Sequence, residues 1–558
     1  MKFMVLTWGG LGLSVAVNSA RYSSRNNNEM KKETEESDGC VVPEGRRKPP
    51  PIAESLRGGK ATTETETAEQ LRLPFETADS PQGDVRARRR GRPRRDARAV
   101  PKSKGGTRPL PLAVRMEEVA DKENLRRAFQ RVASNRGAPG PDRRSIHEVA
   151  THLDWVIERL HVELVAGKYQ PGAIRRVWIP KPGGGERGLG IPNVIDRIVQ
   201  QATHQVLSPW YDASFHASSH GFRPARSCHT AIAEARSHVG NGHDWVVDID
   251  LEKFFDTVPH DRLMSRLEER ISDARILHLI RRMLRAKVVM PDGVVVSTEE
   301  GTPQGGPLSP LLSNIVLDEL DQELARRGHR FVRYADDCNV YTRSKRAAER
   351  VMRSTVHFIE RRLGLRVNAS KSAVARTGQR HFLGFRLRLQ KGETRVGLSE
   401  RTQERLRSRI REQTPRTWGQ SLRACISALN VYAQGWVEFF GIADDAKGTL
   451  RAADSHLRRR LRAIVLHQWK KDRITVRRLI NLDVPPPLAS TVYQGQSSCW
   501  HKSQHEAVRR GLCNAFFAEQ GLLSFESLWR ERHAKLAVAG QPASRPEEPD
   551  VRPTSPVL

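Results

Sequence analysis

The chain has 558 residues, with 94 Lys and Arg against 64 Asp and Glu and a formal net charge of +30. The length allows two or three domains, and a positive excess spread over the whole chain points to nucleic acid, because Lys and Arg displace the counterions condensed on phosphates. The six cysteines (Cys40, Cys228, Cys338, Cys425, Cys499 and Cys513) contain no C-x-x-C pair, which speaks against a zinc module or a disulfide framework and suits a reducing cytoplasm.

In chain order, "MKFMVLTWGGLGLSVAVNSARYS" mimics a short secretory signal through Lys2, an apolar stretch and small residues at Asn18–Ala20, but is too short for a membrane span. The cysteine-poor basic chain behind it makes a start called upstream or a disordered leader the preferred reading. Residues 21 to about 110 are polar and lack apolar periodicity, so 1–110 is expected to be a disordered basic leader. Its tract Arg86–Arg98 would attract nucleic acid without sequence choice. No other segment reads as transmembrane, and no membrane partner is expected.

Order is expected from near Met116. Helical spacing covers Asn124–Asn135 and Leu153–Tyr169, with the turn-rich "RGAPGPD" between them. Ile174–Pro192 reads as strand, Gly-rich turn and strand, followed by a helix in "NVIDRIVQQATHQVLSPWY". Asp244–Val258 reads as a buried strand entering a turn, Pro307–Arg327 as a long helix, and "HRFVRYADDCNVYT" as a hairpin with two aspartates at its turn. After about residue 390 the pattern is helical and very basic. Mixed helices and strands followed by basic helices indicate an α+β domain and then an all-α one.

Asp336 and Asp337 stand side by side in an apolar segment, where they repel each other. Alone, such a pair is more often a hairpin-turn cap. Asp250, at the end of the apolar run "WVVDID", supplies a third carboxylate. Carboxylates at strand ends are costly unless paired or bound to a cation, and three of them together suit two Mg²⁺ ions, with Mn²⁺ as a possible substitute.

"YADD", Tyr334–Asp337, resembles the signature of reverse transcriptases, and the family's other motifs accompany it in the family's order. The resemblance implies a right-handed polymerase: fingers and palm of α+β type over 161–388, preceded by a helical extension over 111–160. Within "DIDLEKFFD" it makes Asp250 the metal ligand, with Asp336 and Asp337, and gives the Leu251 carbonyl to a metal. It places Phe255 under the sugar, where a ring excludes a ribose 2′-hydroxyl. "GTPQGGPLSPLLSN" matches the block that supports template and incoming base, with Gln304 and Gly305 in nucleotide contact. In the fingers hairpin, Lys181 and Arg187 match the residues that hold the triphosphate; Gly188 stands where the family commonly has Pro. Lys371 matches a palm lysine that is either a general acid, a phosphate contact or a surface residue. "GFRPARS" matches a further block, with Ala225 where Gly is usual and Arg223 and Arg226 in structural or template-backbone roles. "FLGF", Phe382–Phe385, resembles the primer-grip hairpin.

"NRGAPGPD" and the C-terminal region resemble, more narrowly, group II intron-encoded reverse transcriptases with a maturase domain. This implies a thumb and maturase region over 389–485, its C-terminal part over 486–535, and a disordered tail over 536–558. Arg458, Arg459, Arg460, Arg462, Lys470 and Lys471 are expected to track an RNA backbone, while Trp436 and Trp469 are either base-stacking or core residues. The implied partners are group II intron RNA, an RNA template with a DNA primer, target DNA and dNTPs, in a cytoplasmic, nucleoid-associated setting. The tail-like end carries no paired cysteines, so no endonuclease domain is expected. Competing readings are a domesticated or diversity-generating reverse transcriptase without splicing work, a splicing-only RNA-binding maturase, and an RNA-dependent RNA polymerase, against which Phe255 argues.

Overall fold

The computed structural model describes residues 113–180, 185–415, 419–493 and 497–539. The expected leader, Lys181 and most of the expected tail fall outside them. Among the described residues there are ten strands: β1 (Ile174–Pro180), β2 (Glu186–Ile191), β3 (Trp245–Ile249), β4 (Val288–Val289), β5 (Val295–Val296), β6 (Arg330–Tyr334), β7 (Asp337–Thr342), β8 (Ala373–Arg376), β9 (Phe385–Gln390) and β10 (Glu393–Leu398).

The central sheet has the order β6-β7-β3-β8 and is antiparallel throughout. Its middle strand, β3, is the apolar run "WVVDI", and Val246, Val247 and Ile249 are buried, so it presents apolar groups to both faces. One face packs on the helices Ser309–Arg326 and Lys345–Phe358 and joins the core that holds the N-terminal helices. Those helices, Met116–Ala120, Lys122–Ser134 and Leu153–Val165, pack with Val194–Asp212; Asn124 bridges them by donating to the carbonyls of Val119 and Ala202. The helix expected to reach Tyr169 stops at Val165. Gly167 takes a φ of +65°, and Tyr169 turns inward to donate its hydroxyl to Asp196 at 2.6 Å.

A second sheet, β2-β1-β4-β5, carries the β1–β2 hairpin outward. Gly188 of β2 lies opposite Trp178 of β1. A Cβ there would stand 2.6 Å from Arg176 Nη1 and 3.0 Å from Trp178, so this position makes room for the Arg176–Trp178 stack.

The second core runs from Val246, Val332 and Tyr341 of the central sheet, through Phe385, Leu387, Val396 and Leu398, into the C-terminal helices. Two sequence expectations fail here. The boundary at 388/389 falls inside β9, and β10 continues to Leu398 where helix was expected after about 390. The inward alternation of Phe385 and Leu387 with Val396 and Leu398 makes this a hairpin, although arginines interrupt its apolar pattern. The boundary at 485/486 is likewise not a packing boundary. The last helix, Phe525–Ala539, lies on Leu422–Phe440 and Lys447–Trp469, and it extends past the expected end of order at 535. Among the described residues no helix is long and apolar enough to cross a membrane.

Candidate active site

The central sheet brings two carboxylate-bearing segments to one end. β3 pairs with β7 in the register Asp248↔Asn339 and Ile249↔Cys338. One further step sets Asp250, just beyond β3, level with Asp337, the first residue of β7. β6 and β7 close with Tyr334 opposite Asp337, leaving Ala335 and Asp336 as the turn. The sheet thus gathers Asp250, Asp336 and Asp337.

Asp250 is tied down by its backbone: its amide donates to Ser372 Oγ at 3.0 Å, and its carbonyl accepts from the Asn368 amide at 2.8 Å. Its Oδ2 lies 3.3 Å from Lys371 Nζ. Leu251 pairs with Val367 through the Glu252 amide and the Asp250 carbonyl, so Leu251's own carbonyl takes no part in that bridge. Asp248 is occupied by Arg380, whose Nε and Nη2 reach it at 2.8 and 2.6 Å.

Electrostatics single out Asp337. Desolvation first, then the charges of Asp336, Asp248 and Asp250, push its carboxyl up to about 7, with Lys371 partly offsetting them. Its side chain is the open one of the pair by surface area, so carboxylate crowding is the component that a cation would relieve. Asp336 is also raised, by desolvation above all, with the charge of Arg187 acting in the opposite direction. As placed, no three His, Cys, Asp or Glu side chains among the described residues enclose a metal position. The donor set nonetheless consists of hard oxygens in excess of nearby cations, which is what Mg²⁺ requires.

The nucleotide-side residues surround this end of the sheet. Phe254 is buried, whereas Phe255 is half-open and meets it edge-on at 5.4 Å. The Thr302 amide donates to the Phe255 carbonyl, so the 301–306 loop is fastened beside it. Gly305, at a φ of +132°, packs so closely on β2 that a Cβ would lie 2.3 Å from the Gly190 carbonyl; the Gly190 amide in turn donates to the Gln304 carbonyl at 2.7 Å. Arg187, exposed on β2, lies opposite Ile179.

Behind the turn is a feature that sequence reading missed. Arg333 is fully buried and paired with the equally buried Asp321, through Nε at 2.8 Å and Nη2 at 2.5 Å. Nη1 donates to Asn314 Oδ1 at 2.9 Å and to the Ala335 carbonyl at 2.8 Å, and Nη2 also donates to Ser219 Oγ at 2.7 Å. All five guanidinium donors are used. Asn314 continues the network to the Gly221 carbonyl, and Gly221 packs so tightly on the turn that a Cβ would lie 2.2 Å from the Ala335 nitrogen. Ala335 has a φ of +57°, a conformation costly for any residue but glycine. The available signal was a charged residue two positions from the buried Phe331, on the same strand face. Nearby, Ala225 also has a positive φ, at the position where glycine was the expected residue, and Arg223 is a buried brace to Asp212.

The expected RNA-facing residues divide. Arg462 is buried and donates from Nε to the Leu512 carbonyl at 2.9 Å; it ties two parts of the core together and is not an RNA surface residue. Arg460 is directed onto Thr414. Arg459 lies over the Trp500 ring at 3.8 Å. Consecutive helix residues are rotated by about 100°, so a run of arginines cannot share one face; Arg462 falls on the stripe of Val465, Leu466 and Trp469. Arg458 is half-buried, while Lys470 and Lys471 are exposed. Trp436 and Trp469 are both core residues.

Comparison with known proteins agrees with this architecture. Residues 179–387 match the model of reverse transcriptases (RNA-dependent DNA polymerase), and 403–480 match the group II intron maturase-specific domain. The chain is 34% identical over 344 residues to protein YkfC of Escherichia coli K12, covering 54% of this chain and 90% of that protein. The chain belongs to the group II intron reverse transcriptase–maturase family. It is also similar to the group II intron-encoded protein LtrA of Lactococcus lactis subsp. cremoris, at 36% identity over 35% of this chain and 32% of LtrA. A putative COX1/OXI3 intron 1 protein of Saccharomyces cerevisiae is 39% identical over 30% of this chain and 20% of its own length. In this family member the reverse transcriptase region contains Asp250, Asp336 and Asp337, and the maturase region contains Arg458 to Lys471.

Proposed function

We propose that this chain extends a DNA primer on an RNA template by a two-metal nucleotidyl transfer and binds its own group II intron RNA as a maturase that assists splicing and mobility. The observation that carries the reading is the β3–β7 register, which brings Asp250 level with the Asp336–Asp337 turn. Asp250, Asp336 and Asp337, with the Leu251 carbonyl, would hold Mg²⁺, which when bound activates the primer 3′-hydroxyl and neutralises charge on the leaving pyrophosphate.

The chain's own residues account for the rest. Arg187 and Lys181 bring positive charge to the triphosphate, where charge builds as the phosphoryl bond shifts. Phe255 forms the floor under the sugar and disfavours a 2′-hydroxyl. Gln304 and Gly305 form the surface on which the new base pair rests, with the glycine permitting close backbone approach. Lys371, beside Asp250, would donate a proton to pyrophosphate or hold it. Lys470, Lys471 and Arg458 contribute to RNA attachment, with target DNA as a further partner and a cytoplasmic, nucleoid-associated location.

The direct test is primer extension on an RNA template with a DNA primer, comparing wild type with Asp336→Ala and offering dNTPs and NTPs separately. Extension with dNTPs alone, lost in the variant, is the expected result. Failure of a folded, RNA-binding wild type to extend would leave a splicing-only maturase.

A further inference from the structure

At the end of the central sheet away from the carboxylates lies a cavity of about 400 Å³ lined by Ser237, His238, Asn241, His243, Arg330 and Arg343. Arg330 opens β6 and Arg343 follows β7, so each stands six residues, or roughly 20 Å of strand, from Asp336 and Asp337 respectively. It is therefore separate from the site of nucleotidyl transfer.

Its charge is uncompensated. Both guanidiniums are exposed, and among the described residues neither has a carboxylate within ion-pairing distance or another side-chain partner. Other arginines toward this end are neutralised: Arg376 by Asp244, and Arg326 and Arg327 by Glu323. Glu234 stands 3.5 Å from His238 Nε2 but is already engaged by His220 at 2.8 Å and Ser218 at 2.6 Å, and it does not line the cavity. His243 Nδ1 is buried with no hydrogen-bond partner. The His243 imidazole is held below its ordinary range by burial and by the positive charges of Arg343, His238 and Arg330, with a hydrogen bond to the His238 backbone partly offsetting them. Ser237 and Asn241 add neutral hydrogen-bonding groups at the rim.

We propose that this cavity is an oxyanion site that seats a backbone phosphate of RNA lying outside the polymerase cleft. Two fork-shaped guanidiniums suit the tetrahedral oxygens of a phosphate, with the His243 ring in the cavity wall beside them as a reporter. The inference rests on the reading that the chain binds RNA, and it adds a contact on the palm to those of the maturase region.

The test uses the full chain and a folded group II intron RNA, with binding measured across a salt series. Arg330→Glu with Arg343→Glu should lower affinity about tenfold at physiological salt and flatten the log–log salt slope by roughly 1 to 2. Extension of a short template–primer should be unchanged, and reversal of two other exposed arginines, Arg353→Glu with Arg361→Glu, should have a smaller effect. In histidine-labelled protein, both RNA and inorganic phosphate should move the His243 ring signals, and neither should do so in the Arg330/Arg343 variant. Affinity and slope equal to wild type, or a loss no larger than in the control variant, would overturn the proposal. A His243 response to phosphate but not to RNA would overturn the RNA assignment in favour of a free-phosphate site. If wild type itself fails to bind RNA, the functional reading falls, an outcome distinct from failure of the variant to differ.

Discussion

Arg333 Nη1 donates to the Ala335 carbonyl at 2.8 Å and so holds the first residue of the turn whose second residue is Asp336. The same guanidinium is anchored by Asp321, 12 residues earlier in the chain on the helix Ser309–Arg326. The turn that carries the proposed metal ligand Asp336, in an unfavourable backbone conformation, is thus fixed from behind by a buried ion pair. Buried pairs of this kind often add little net stability, which makes a positioning role the more informative explanation.

That role separates from stability in a two-step substitution. Arg333→Met strands the Asp321 carboxylate and should cost about 3–5 kcal/mol. Adding Asp321→Leu should recover most of that loss, because no buried charge is then left unpaired. Single-turnover extension should remain slowed by about tenfold or more in the double variant. Urea midpoints and extension rates on the same preparations check this; an extension rate that recovers along with stability would reduce Arg333 to a packing element.

Glu234 gives a pH prediction. Burial pushes its carboxyl up, but hydrogen bonds from His220, His238 and Ser218 outweigh burial and hold it well below the ordinary glutamate value of 4.5. A depressed carboxylate contributes stability that is present above the unfolded-state value and lost as pH falls through the folded-state value. Glu234→Gln should therefore cost about 1–3 kcal/mol at pH 7, with the gap to wild type closing below about pH 4.5. A gap that stays constant down to pH 3 would contradict the assignment.

Asp337, proposed as a metal ligand, is raised by burial and then by the neighbouring carboxylates. Removing one of its crowded negative charges should stabilise the metal-free protein, so Asp337→Asn should melt above wild type in chelator. Adding Mg²⁺ should raise the wild-type melting temperature more than that of the variant, while the variant loses extension. Thermal melts with and without Mg²⁺ decide the matter, and a variant that melts below wild type in chelator would count against carboxylate repulsion.

Phe255 should set sugar selectivity. Phe255→Ala opens the half-exposed floor while Phe254 remains in the core. Relative incorporation of NTPs over dNTPs should rise by about tenfold to a hundredfold. Competition assays with matched dNTP and NTP pairs measure the ratio, and an unchanged ratio would remove Phe255 from the sugar site.

What the sequence made readable was local. Apolar runs ending in carboxylates identified β3 and the β6–β7 hairpin, because alternation and turn chemistry act within a few residues. Arg333 was not readable as a brace, since its partners Asp321, Asn314 and Ser219 meet only in the folded chain. The arginine run at 458–462 misled because charge was counted without helical rotation, which sends Arg462 into the core. β10 was missed because Glu393, Arg395 and Gly397 alternate with its inward residues and masked the inward alternation of Val396 and Leu398.

The central claim is that Asp250, Asp336 and Asp337 hold the ions that act on the incoming nucleotide's α-phosphate. The most direct measurement is single-turnover extension using a dNTP with sulfur at a non-bridging α-phosphate oxygen, in Mg²⁺ and in Mn²⁺. Mg²⁺ prefers oxygen and Mn²⁺ tolerates sulfur better. The account predicts a marked slowing in Mg²⁺ that Mn²⁺ largely restores for one sulfur stereoisomer. An identical sulfur effect in both metals, for both stereoisomers, would contradict metal contact at that phosphate.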